Sequence, residues 1–109
     1  MITLRQLEQL TGVSRRMLQD YNQLGLLKYR GKTPGGYWLY EEDDVNRLAA
    51  IQLLRAHGMS RKEIADLFGD ADQPLPDIVH HAEEALIQRR NAIDQVLRQL
   101  QEIRAQLEG

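Results

Sequence analysis

The sequence predicts a mostly α-helical chain: two short helices, a small β-hairpin, two further helices and one long C-terminal helix. Three observations carry this. A capping-box pattern, a hydroxyl followed three residues later by glutamine or glutamate, stands at Thr3/Gln6 and again at Ser60/Glu63. Two short aromatic-rich stretches, Lys28-Tyr29-Arg30 and Tyr37-Trp38-Leu39-Tyr40, flank a turn-rich loop at residues 31–36. From Val79 to Leu107 apolar residues recur in steps of three and four, with no proline or glycine between them.

The elements follow in order. Leu4, Leu7 and Leu10 mark one face of the first helix, and Thr11-Gly12-Val13 breaks it. Ser14 caps a second helix that runs to about Gln23, with Met17, Leu18 and Tyr21 at helical spacing. Gly25 is the expected left-handed terminator. The acidic run Glu41 to Asp44 suits the first turn of the next helix, where the macrodipole favours anions. Val45, Leu48, Ala49 and Ile51 to Leu54 form its expected buried side, and Gly58 ends it. Ser60 starts a short helix through Ile64, Leu67 and Phe68 that stops at Gly69. The expected division is therefore a domain at residues 1–69, a polar, proline-containing linker at 70–76, and a helical segment at 77–109. That last helix should be about 48 Å long.

Val79, Ala82, Leu86, Arg89, Ile93, Val96, Leu100, Ile103 and Leu107 alternate in steps of three and four, and only Arg89 is polar. Such a seam cannot be left in water, so a second copy of the chain is the expected partner. Leu86, Ile93, Val96, Leu100, Ile103 and Leu107 are the expected pairing residues. The alternative is that half of the helix packs back on its own domain.

Bulk composition narrows the function. The chain has 109 residues, no cysteine and no run of about 18 apolar residues, which excludes disulfides, thiolate metal sites and a spanning helix. The first residues lack a signal-peptide pattern, and a cytoplasmic location is expected. Residues 1–40 carry six basic and two acidic side chains, whereas residues 70–109 carry four basic and eight acidic ones. A positive field at one end suits a polyanion. No catalytic pair and no phosphate-binding glycine loop stand out, so no enzyme activity and no cofactor are expected. His80 or His81 with Glu84 offers two ligands where a metal needs three or four, so no metal site is expected.

The first two helices have the proportions of a helix-turn-helix. Arg15, Arg16, Gln19 and Asn22 can face outward from the second, and arginine and glutamine read guanine and adenine edges. Lys28, Arg30 and Lys32 lie on or beside the hairpin, within reach of flanking phosphates. Ser14, Tyr21, Tyr37 and Trp38 complete the expected DNA-contacting set. The two tyrosines serve equally well as caps on the small core, and Trp38 as a packing residue.

Leu10-Thr11-Gly12-Val13-Ser14, Gly25-Leu26-Leu27, Gly36-Tyr37 with Tyr40, the acidic run Glu41 to Asp44, and Gly58 with Glu63-Ile64 form one constellation across residues 2–68. On these motifs the segment resembles the MerR-type transcriptional regulators. It implies a winged helix-turn-helix, an antiparallel coiled-coil homodimer, and binding to double-stranded promoter DNA that the dimer bends and untwists. It implies RNA polymerase as an indirect partner. It leaves two layouts open: a complete chain, or the N-terminal part of a longer regulator with an effector domain after the long helix. Gln19 stands where the family usually has arginine, Asp20 where it has tyrosine, and Trp38 where it has a wing arginine. Asp20 and Trp38 favour a second reading, a protein-interaction module of the chaperone-modulator type that binds co-chaperone J-domains.

Overall fold

Local hydrogen bonds start the helices where the sequence places their caps. The Gln6 backbone N–H donates to Thr3 Oγ1 (3.1 Å) while the Thr3 N–H donates to Gln6 Oε1 (2.8 Å). This box opens α1 (Leu4–Thr11), and Ser14 Oγ, accepting from the Met17 N–H (3.2 Å), opens α2 (Arg15–Gln23). A second box, Ser60 with Glu63, opens α4 (Arg61–Phe68). The Ser60 bonds hold the Glu63 carboxyl below the usual carboxylate range.

The computed structural model describes all residues, Met1–Gly109. A three-stranded antiparallel sheet in the order β1 (Ile2–Thr3), β3 (Trp38–Tyr40), β2 (Gly31–Lys32) lies beside α1. The β2–β3 hairpin is the expected one, with Lys32 opposite Trp38. Its turn is closed by the Gly36 N–H donating to the Thr33 carbonyl (2.8 Å), and Gly36 takes the left-handed step at φ 84°. The sequence reading missed β1. It is two residues long and exists only through pairing of Ile2 with Tyr40 and Thr3 with Leu39.

The core joins Leu7 and Leu18 of the first two helices to Tyr40, to Leu48 and Ile51 of α3 (Asp43–Ala56), and to Ile64 and Phe68 of α4. Leu10 is 63% exposed, contrary to its expected inward face. Leu4 and Leu10 lie about 60° to either side of Leu7 on the helix, and the sheet covers only the Leu4 side. In α3 Leu53 is likewise exposed. The acidic run splits: Glu41, Glu42 and Asp43 face solvent, whereas Asp44 is 1% exposed. Asp44 Oδ2 accepts from the Glu41 N–H (3.0 Å), and its Oδ1 accepts from Arg47 Nε (3.3 Å), itself only 3% exposed. Burial raises the Asp44 carboxyl despite these partners.

The long helix α5 runs Leu75–Glu108, beginning two residues before the expected start. Pro76 sits in its first turn, where the backbone N–H groups have no helical acceptor, so the ring costs nothing there. Ile78 and Ala82 are buried against the head. Ala85 and Leu86 still border α4, and Arg89 lies 4.0 Å from Glu63; beyond Arg89 the helix leaves the head, and the molecule measures 73 × 24 × 20 Å. Its radius of gyration is 18.8 Å, where a compact chain of this length would have about 13 Å. No helix is long and apolar enough to cross a membrane.

Candidate nucleic-acid interface

The α2 helix divides cleanly. Leu18 and Tyr21 point into the core, Met17 is half-buried, and Ser14, Arg15, Arg16, Gln19 and Gln23 are exposed. Tyr21, expected among the DNA contacts, is instead a core residue at 4% exposure, because it lies on the Leu18 side of the helix. Asn22, expected to face outward, is half-buried and donates from Nδ2 to the Tyr40 hydroxyl (2.9 Å). Burial pushes the Tyr40 hydroxyl up to about 12, so it stays protonated. Ser14 is a cap first: its oxygen is engaged with Met17.

An open cleft of about 600 Å³ separates α2 from the hairpin. Arg5, Arg15 and Gln19 line it from the helices, and Thr33, Tyr37 and Trp38 from the hairpin. Tyr37 is 71% exposed at the hairpin tip. Arg5 is a cation the sequence reading did not assign. Its place after the Thr3 cap faces the hairpin only because β1 pairs with β3 and draws α1 alongside.

The hairpin's other expected residues have divided roles. Lys32 is exposed and lies over the Tyr29 ring (5.7 Å to the centroid). Trp38 is half-buried and stacks on Tyr29, with ring centroids 4.9 Å apart and planes 6° from parallel. One edge still borders the cleft beside Gln19. Lys28 and Arg30 are both engaged by Asp72, and Lys28, still exposed, also lines an adjoining cleft with Gln19 and Trp38.

Asp20 is paired as well. Arg61, at the start of α4, donates from Nη1 to Asp20 Oδ2 (3.0 Å). Both side chains are about 40% exposed, so the pair contributes at most about 1 kcal/mol. Its electrostatic effect is local: the acid on α2 is neutralised, and Arg55, Arg61 and Lys62 form a second basic edge beside Gln23 and Leu24. The two partners are 41 residues apart, so no local pattern announces them.

A polar helix face flanked by cations from α1, the hairpin and α4 is the shape of a major-groove reader with phosphate contacts on both sides. Comparison with known families decides what this head is. A family model described as MerR HTH family regulatory protein matches residues 2–70, and a second, described as MerR DNA binding, matches residues 45–109. The chain belongs to the MerR family. It carries the DNA-binding region of a MerR-family transcriptional regulator, with the fold expected from its sequence.

Among MerR relatives, a probable heavy metal-dependent transcriptional regulator of Haemophilus influenzae is 37% identical over 65 residues, covering 60% of this chain and 51% of that one. The chain spans about half or less of the length of the first curated relatives it matches. The N-terminal part of Mta, a multidrug transporter activator of Bacillus subtilis, superposes with a TM-score of 0.60 at 24% identity, over 94% of this chain and 96% of that one. HiNmlR, a MerR regulator lacking the sensor domain and solved bound to promoter DNA, superposes with a TM-score of 0.54 at 24% identity, over 96% and 86% of the two chains. At these identities the two structures establish the fold.

Proposed function

We propose that the chain is a homodimeric, sequence-specific reader of double-stranded promoter DNA. In this reading residues 1–69 are the reading head, 70–74 the connector, and the helix from Leu75 the pairing element. The observation that carries it is the exposed Arg15–Arg16–Gln19 face of a capped helix, with Arg5 beside it and Lys32 on the adjoining hairpin. Arg15, Arg16 and Gln19 read base edges; Arg5, Lys32, Tyr37 and the Arg55–Lys62 edge hold phosphates. Trp38 borders the contact as a packed platform and does not replace a phosphate-binding arginine.

The dimer half of the reading rests on α5. Leu86, Ile93, Val96, Leu100, Ile103 and Leu107, with Ile87 and Leu97, are between 39% and 83% exposed. Full burial of such a side chain is worth about 1.5–3 kcal/mol, so leaving eight of them in water is unfavourable. A second α5, antiparallel to the first, covers them and places two heads on one duplex face. Bending and untwisting of a promoter with an over-long spacer, with RNA polymerase as the indirect beneficiary, then follows from the family layout. A cytoplasmic location goes with this reading. The two side chains that favoured a chaperone-modulator role, Asp20 and Trp38, are each accounted for inside the fold by Arg61 and Tyr29.

The test is selection of genomic duplexes by the protein, followed by fluorescence anisotropy at several salt concentrations. Recovered duplexes should bind far more tightly than random ones, and the absence of any such preference at every salt concentration would sink the proposal. Two variants separate the contact types. Gln19→Ala should relax selectivity at one base position by about 1–3 kcal/mol. Lys32→Ala should weaken all duplexes alike and lower the slope of log affinity against log salt by about one. Equal, sequence-blind losses in both would contradict the assignment.

A further inference from the structure

The connector between α4 and α5, read from sequence as a polar linker, is fastened to the root of the hairpin. Asp72 lies between two cations: Lys28 Nζ donates to its Oδ2 (2.7 Å) and Arg30 Nη1 to its Oδ1 (2.5 Å). Arg30 Nη2 also donates to the Ala71 carbonyl (2.9 Å), which accepts a second bond from Arg47 Nη2 (3.1 Å). Ala71 is buried, and Arg47 is tied to Asp44 inside the head. The start of the hairpin, the core of α3 and the connector therefore meet on two consecutive residues. The long helix begins three residues later, at Leu75.

Ile78 and Ala82 pack α5 against the head, and farther along the Arg89 guanidinium lies 4.0 Å from the Glu63 carboxylate of α4, both side chains largely exposed. Apolar packing has little directional preference, and an exposed pair at that distance adds little to it. The guanidinium and carboxylate bonds are directional. Lys28 and Arg30 also hold the Asp72 carboxyl below the usual carboxylate range, so the lock stays ionised near neutral pH.

We propose that Asp72 is a positioning residue for operator geometry: by locking the connector to the hairpin root it fixes the angle between head and α5, and so the half-site spacing that the dimer accepts. The inference rests on the dimeric reading above. About 20 residues separate Leu75 from the middle of the exposed seam, a lever of about 30 Å. A pivot of about 10° at the connector moves each head by about 5 Å, more than the roughly 3.4 Å rise of one base pair. A lock that removes a few degrees of freedom at this hinge therefore selects spacing to the base pair.

The test uses a duplex recovered in the genomic selection, remade with its centre lengthened or shortened by one and two base pairs. Wild type, Asp72→Asn, Asp72→Glu and Lys28→Gln are compared by anisotropy, with mass measured by sedimentation. Wild type should prefer one spacing over its one-base-pair neighbours by about tenfold or more. Asp72→Asn should remain dimeric, yet bind all spacings within about threefold of one another, with Asp72→Glu restoring part of the preference and Lys28→Gln lying between. Because the chain has no cysteine, a Lys62→Cys spin label on each head gives a second readout: a narrow inter-label distance in wild type that broadens with Asp72→Asn. A dimeric, spacing-selective wild type whose profile and label distance are unchanged by Asp72→Asn overturns the role of Asp72 alone. A monomeric or spacing-blind wild type overturns the dimeric reading beneath it.

Discussion

Leu100→Asp is expected to make the protein monomeric and to lower its affinity for a selected duplex by about 10²- to 10⁴-fold, the usual gain from engaging two linked sites at once. Leu100 lies within the exposed seam of α5, with Ile93 and Val96 before it and Ile103 and Leu107 after. A carboxylate there, set among its symmetry mate's apolar side chains, would have to be desolvated. Each head would keep its contact face, so weak, salt-sensitive binding should persist. Arg98→Asp, on the opposite face of the helix, is the control and should leave mass and affinity near wild type. Sedimentation equilibrium and anisotropy read both effects; a dimer with Leu100→Asp would mean that α5 is covered by something other than its own copy.

Arg47→Ala is expected to be the most destabilising single change in the head, by about 3–5 kcal/mol. That is a large part of the roughly 5–15 kcal/mol available to a domain of this size. The loss would strand Asp44, which is 1% exposed and already has its carboxyl raised by burial. It would also remove the N–H that Arg47 gives to the Ala71 carbonyl. Urea unfolding followed by Trp38 fluorescence measures the change. The paired variant Asp44→Asn with Arg47→Met should cost clearly less than the sum of its single changes, because the pair acts as a unit. A cost of Arg47→Ala below about 1 kcal/mol would show that the pair is not what holds this corner together.

What the sequence made legible was local or periodic. The Thr3–Gln6 and Ser60–Glu63 boxes and the Ser14 cap act over three residues, so their partners are visible in the string itself. The α5 seam is visible because one three-and-four spacing repeats four times between Val79 and Leu107. The hairpin was legible from its aromatics and its Pro-Gly-Gly turn. What stayed hidden depended on partners far along the chain. The β1 strand is two residues that are extended only because Tyr40 and Leu39 lie opposite. Asp44 looks like its acidic neighbours until Arg47 and the core close over it. Tyr21 belongs to the core because α2 presents that side to it, which spacing alone left open.

The candidate site was half legible for the same reason. The exposed residues Arg15, Arg16, Gln19, Lys32 and Tyr37 stand where helix spacing and the hairpin loop place them. Arg5 enters the cleft through the β1–β3 pairing. Asp20, which reads as a repulsive acid, is matched by Arg61 from 41 residues away. Lys28 and Arg30 read as phosphate contacts but serve Asp72, 44 and 42 residues distant.

In the proposed dimer two chains, joined through α5, read one duplex with two helix faces. Native mass spectrometry of the complex with a genomically selected duplex counts the chains directly. Two chains on each selected duplex, and no stable complex with a scrambled duplex of the same length, is the predicted result. One chain per duplex, or the same complex on selected and scrambled DNA, would contradict it.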